Sequence, residues 1–229
     1  MNRFLVIILV LAASVGIPTS TASAREGLSC DLPESDAPAI EIASNYSRGY
    51  WWDHADLTAA VHAHPGAEPA YVDAIHAAIA RWSALLDDCF DGQITLTDVT
   101  GTKSGPNRAA DIVIHYVPSA GGSQWNGVTI CGDHKCENVL VKSDYPPPMG
   151  VQIPPFAIGY VAQHEIGHAL GLGHATNLWQ SWDLMGYGWV VGQGEPIVSR
   201  CDLEALRLVF AWVFEGGQPH PPGLGPYSC

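Results

Sequence analysis

The chain has 229 residues, with ten basic against 23 acidic side chains for a formal net charge of −13, and 47% of its residues are hydrophobic. That charge would be repelled by nucleic acid and by anionic membrane surfaces, so neither is expected as a partner. The length suits one domain that buries its own core, and six cysteines, at 30, 89, 131, 136, 201 and 229, imply three disulfides formed in an oxidising compartment.

Residues 1–24 read as a cleavable signal peptide. Met1-Asn2-Arg3 is a basic start, Phe4 to Ala13 a short apolar run, and Ala22-Ser23-Ala24 a small-residue site after which cleavage is expected. The apolar run is too short to span a bilayer, so the expectation is a secreted, extracellular protein with no membrane association once the leader is gone. Loss of Arg3 with the leader leaves a net charge of about −14. Residues 25–50 mix Pro, Ser, Asp and Glu without a period and read as an extended N-terminal segment.

A strand is expected around Leu57 to Ala63, closed by Pro65-Gly66. His54, His62 and His64 lie in or beside it, and an HxH on a strand puts both rings on one face, so a second metal site is weighed against plain solvated histidines, which such rings more often are. Pro69 then starts a helix, in which Ile75, Ile79, Trp82 and Leu86, flanked by Ala78 and Leu85, form one apolar stripe. Strands follow in QITLTDV and in ADIVIHYV, the second apolar enough to be buried on both faces. Residues 118–127 read as an exposed loop. GVTIC and ENVLVK flank the GDHK loop as a hairpin, which gives Cys131 and Cys136 a local reason to pair. The remaining pairs are taken as Cys201 with Cys229, tying down the tail, and Cys30 with Cys89 by elimination. Prolines at 146–148 and 154–155 frame a loop ahead of a helix that begins near Phe156.

That helix runs into HEIGHALGLGH, residues 164–174. His164 and His168 are four apart and project from one helical face, where two imidazoles can hold one zinc ion. Glu165 is angled to reach a water on that metal without binding the metal, as a general base must. Gly171 can take the left-handed conformation that ends the helix and swings His174 back as a third ligand, leaving the fourth tetrahedral position to water. A bare HExxH would arise by chance in about one such sequence in sixty, the full pattern in roughly one in ten thousand.

These eleven residues, with Met185 in DLMGYG downstream, resemble the metzincin zinc peptidases, whose signature adds a methionine turn. The resemblance spans roughly Trp51 to Phe214 and is nearest in layout to the matrixins, with their tryptophan-bearing helix, ADI-type strand and terminal helix with S-x-x-D near its start. It implies an α+β metzincin fold: a twisted mixed β-sheet with an active-site helix, a packing helix and a C-terminal helix. The expected organisation is a catalytic domain over 51–215 and an irregular tail over 216–229, with the C-terminal helix capped by Ser199 or Asp202.

The function implied is a zinc metalloendopeptidase acting on protein or peptide substrates. His164, His168 and His174 would hold one catalytic zinc, Glu165 would act as general base, and Met185 would form an apolar floor beneath the histidines. Tyr187 matches the M-x-Y spacing of astacins and serralysins, whose phenol reaches the zinc and the oxyanion, although matrixins place their tyrosine differently. One arm of the hairpin would be the edge strand that pairs with extended substrate, and Trp189 and Val190 would line an apolar pocket past the scissile bond. Matrixin pro-peptides also cap zinc with a thiolate; Cys30 used that way would leave an odd thiol, so a disulfide is preferred. Asp53, Asp56, Asp133 and Asp144 are candidate calcium ligands without a regular calcium loop, and a monomer is expected. A zinc hydrolase of other amides or cell-wall peptides, and an inactive zinc-containing binding protein, are the competing readings.

Overall fold

The computed structural model describes residues 28, 30–43, 49–102, 110–117, 125–144, 152–176, 182–186 and 194–229. The signal-peptide reading, Tyr187, Trp189 and Val190 fall outside these residues, as does most of the 118–127 loop.

The helix α1 (Pro69–Phe90) starts on a proline, whose missing N–H falls where the first turn has no partner for it, and stops at Asp91 in the left-handed conformation, φ 51°. Its stripe of Ile75, Ile79, Trp82 and Leu86 is fully buried, with Leu85 at the margin. The stripe packs on a second helix, α2 (Pro155–Leu170), where Trp82 Nε1 donates to the Gln163 carbonyl at 2.8 Å. Gly159 permits this approach, since a Cβ there would lie 3.2 Å from the Ala74 carbonyl oxygen.

Both helices lie on one face of a mixed five-stranded sheet built from β2 (Asp56–Ala63), β3 (Thr95–Asp98), β4 (Ile112–Tyr116), β5 (Gly127–Ile130) and β6 (Asn138–Val141). The order is β3-β2-β4-β6-β5, parallel throughout except β5, which runs antiparallel to β6 at the edge. Alternation sets the faces: Leu57, Ala59 and Val61 of β2 and Ile112 and Ile114 of β4 point to the helices. The expectation that β4 is buried on both faces is corrected, because Val113 and His115 lie half-buried on the side away from the helices.

A second, antiparallel sheet has the order β7-β1-β8, formed by β1 (Ala39–Ile42), β7 (Leu172–Ala175) and β8 (Tyr227–Ser228). Part of the N-terminal segment is thus a strand whose Ile40 and Ile42 join the main core. The tail, read as irregular, is corrected too: its end pairs with β1, held by the Cys201–Cys229 disulfide. The other two disulfides are also the expected ones, Cys131–Cys136 closing the β5–β6 loop and Cys30–Cys89 joining the N-terminal segment to α1. The helix α3 (Arg200–Val209) opens on a capping box in which Ser199 and Asp202 satisfy each other's backbone N–H, and the short α4 (Ala211–Glu215) follows.

Candidate metal centre

The helix α2 is buried nearly all round, from Ala157 and Ile158 through Ala162 to Ile166, Ala169 and Leu170, so apolar packing fixes its backbone before any metal binds. Val161 is only half-buried because it borders the cleft. Gly171 ends the helix at φ 112°, and its N–H bonds the Gly167 and His168 carbonyls. The chain turns directly into β7, which carries His174.

Turn and strand together bring the three histidines to one point. Their rings lie 4.5 Å (His164–His168), 4.6 Å (His168–His174) and 5.4 Å (His164–His174) apart between centroids. One nitrogen from each lies within 4.8 Å of the others, which a tetrahedral ion can bridge. His164 Nδ1 donates to the Leu184 carbonyl at 2.6 Å, and His168 Nδ1 to the Leu172 carbonyl at 2.8 Å. Each bond fixes a tautomer, leaving the Nε2 lone pair as the ligand. Burial, assisted by the neighbouring imidazoles, lowers the pKa of His164 to about 4, of His168 to about 3 and of His174 to about 4. All three rings are therefore neutral at physiological pH, as metal binding requires. Three neutral imidazoles with two backbone-fixed tautomers fit a zinc ion.

Glu165 sits beside them, 7% exposed, and burial lifts its pKa to about 7, opposed by a hydrogen bond from Thr129. Thr129 Oγ1 lies 2.7 Å from Glu165 Oε2 and 2.9 Å from the Glu165 carbonyl oxygen. Met185 is fully buried beneath Gly167, where an added Cβ would lie 2.5 Å from its sulfur. Its carbonyl accepts from Ala175 N at 2.9 Å, which ties the methionine segment to β7.

Asp183 was not singled out from sequence, yet it organises this segment. Its Oδ1 accepts from Met185 N at 2.9 Å, while its Oδ2 accepts from Ser35 Oγ at 2.5 Å and Ser199 Oγ at 2.7 Å. N-terminal segment, methionine turn and α3 thus meet on one carboxylate. Nearby Asp202 is fully buried, and its pKa is raised well above the usual carboxylate range by that burial and by the neighbouring charge of Asp183. The S-x-x-D capping pattern was a visible signal for Asp202; Asp183 had none.

The groove runs along β5 on both sides of Glu165 and His174. On one side a cavity of about 320 Å³ is bordered by Tyr160, Val161, His164 and Leu184. On the other, about 380 Å³ is bordered by Tyr50, Val128, Thr129 and His168.

The other suggested metal ligands are not gathered, since the only group of three metal-ligating side chains among the described residues is the His164–His168–His174 set. His54 instead pairs with Asp53 and Asp111, the His62 ring packs edge-on against His115, and His64 lies against Tyr116. Of the candidate calcium ligands, Asp53 is taken by Lys135 at 2.8 Å, a pair that holds its pKa down to about 2 together with His54. The Cys30 thiolate switch is replaced by the Cys30–Cys89 disulfide.

No protein-family model and no curated protein sequence matches the chain. Among solved structures it is similar to the GM1-bound form of the ECX AB5 holotoxin, with 13% identity and a TM-score of 0.43 over 75% of this chain and 87% of that one. It is also similar to high choriolytic enzyme 1, a hatching-enzyme zinc protease of the medaka fish Oryzias latipes, with 12% identity and a TM-score of 0.40 over 78% of this chain and all of that one.

Proposed function

We propose that the chain is a secreted, monomeric zinc endopeptidase of the metzincin type with a matrixin-like layout. One observation carries the reading: three neutral imidazoles converge on one point with a buried carboxylate beside them, in a groove along the sheet's edge strand. Three disulfides support secretion, and no helix among the described residues is long and apolar enough to cross a membrane.

His164, His168 and His174 would hold the zinc, with Leu184 and Leu172 orienting two of them. Bound there, zinc supplies a Lewis acid that polarises the scissile carbonyl and makes a water acidic near neutral pH. Glu165 Oε2 is engaged by Thr129, so Oε1, which lies over Gly127, is the oxygen that takes a proton from the attacking water and delivers it to the leaving amine. The edge strand β5 would pair with extended peptide, and the cavities on either side would receive side chains flanking the cut.

The test is digestion of an unbiased peptide library by wild type, by chelator-treated protein and by Glu165→Gln. Internal cleavage that is lost with chelator, and falls at least about 100-fold in Glu165→Gln, is the expected result. Undiminished cleavage by Glu165→Gln overturns the mechanism. A wild type that holds one zinc yet cuts no peptide overturns the endopeptidase reading, in favour of a hydrolase of other amides or a binding protein.

A further inference from the structure

The strand above the metal centre does more than border the groove. Residues 127 and 129 are two apart and face α2, while Val128 and Ile130 point the other way, with Ile130 half exposed. Each of the two inward positions meets the side chain of Glu165.

Position 127 carries no side chain because none fits. A Cβ on Gly127 would lie 2.6 Å from both Cγ and Oε1 of Glu165 and 2.7 Å from Cγ1 of Val161. The constraint is purely steric. Glu165 therefore passes through the gap left by the missing side chain.

Position 129 supplies a hydroxyl where the carboxylate arrives. A threonine bonding only a helix carbonyl would be ordinary packing, but here the same oxygen lies 2.9 Å from the Glu165 carbonyl and 2.7 Å from Glu165 Oε2. The hydroxyl has one proton to share between these two acceptors, and the shorter contact, to the carboxylate Oε2, takes the larger part of it. With Val161 on one side, Gly127 below and Thr129 at the end, the flexible glutamate keeps Oε1 toward the groove.

We infer that Thr129 is the positioning residue for Glu165, and that Gly127 is the gap that lets this carboxylate reach the groove. The inference rests on the endopeptidase reading for its kinetic consequences, and on geometry alone for the placement of the carboxylate. Misplacing a general base by about 1 Å costs on the order of 100-fold in rate.

Two readouts test it on the zinc-loaded full chain: peptide turnover, and calorimetric binding of acetohydroxamate, a zinc-binding probe whose hydroxyl hydrogen-bonds a carboxylate beside the metal. Thr129→Val keeps the shape and removes the hydroxyl; it should lower kcat by roughly 10- to 100-fold with KM within about threefold, and weaken acetohydroxamate about tenfold, with zinc affinity unchanged. Thr129→Ser should restore both to within about threefold of wild type. Gly127→Ala, which leaves Thr129 intact, should lower kcat while retaining one zinc per chain. Wild-type behaviour of Thr129→Val in both readouts, or equal losses in Thr129→Val and Thr129→Ser, overturns the inference. If wild type binds zinc and acetohydroxamate but cuts no peptide, the endopeptidase reading fails, and the acetohydroxamate series alone decides the role of Thr129.

Discussion

Replacing Gly171 by alanine should damage stability and metal binding together, because both depend on the turn between His168 and His174. At φ 112° a non-glycine residue costs about 1–3 kcal/mol. The added Cβ would also lie 2.7 Å from Cγ1 of Val209 and 3.3 Å from the Tyr50 carbonyl oxygen. Val209 is buried and β-branched, so it yields poorly, and overpacking of this kind adds about 1–3 kcal/mol. Alanine restricts the unfolded chain and returns about 0.4–1 kcal/mol. The net loss is then about 1–5 kcal/mol, read by urea unfolding of the metal-free protein. Because Leu172, the next residue, supplies the carbonyl that orients His168, zinc affinity measured against a competing chelator should fall by about 10- to 100-fold. A variant within about 0.5 kcal/mol of wild type, with unchanged zinc affinity, would refute the idea that this turn sets the geometry.

Two further outcomes follow from the same geometry. Protons compete with zinc only where the free imidazoles are protonated, and in the folded chain the three titrate at about 4, 3 and 4 rather than at 6.5. Zinc occupancy should therefore hold as pH falls through 6.5 and be lost on approach to 4, as metal analysis after dialysis across that range would report. Release centred above pH 6 would show that the rings are not desolvated. Opening the loop of 28 residues with Cys229→Ser should cost about 3.5 kcal/mol of unfolding free energy by chain entropy, and a loss under about 1 kcal/mol would mean that the tail is held without its disulfide.

The centre was legible where chemistry follows short spacings. Positions 164 and 168 share a helical face whatever the rest of the chain does, and Gly171 marks the turn that returns His174. The buried stripe of α1 and the β5–β6 hairpin were readable for the same reason, as periods and as a local cysteine pair. The strands β1 and β8 were not, because four residues and two residues carry no period; they are strands only because β7 offers an edge and the Cys201–Cys229 disulfide brings the tail there. The histidines at 54, 62 and 64 mislead in the opposite direction, since alternation gives two of them a common face but cannot say that each ring finds another neighbour. Thr129 lies between these cases. Its alternation predicts which face it occupies, whereas only the fold puts a carboxylate there.

The eleven-residue motif holds all three imidazoles that could bind a metal, yet the geometry of the centre comes largely from outside it. Leu184, which orients His164, belongs to the methionine segment, and that segment is fixed by the Asp183 carboxylate that Ser35 and Ser199 also engage. His174 rides on β7, which pairs with β1, which pairs in turn with the tail. Gly173 tightens that pairing, because a Cβ there would lie 2.6 Å from Cβ of Glu41. An isolated peptide of residues 164–174 would keep three imidazoles but lose one of the two carbonyls that fix their tautomers, along with the strand that aims the third ring. Second-sphere partners of this kind contribute about 10- to 100-fold in metal affinity. The two ends of the described chain are thus part of the apparatus that shapes the metal centre, rather than appendages to a domain that begins and ends near the motif.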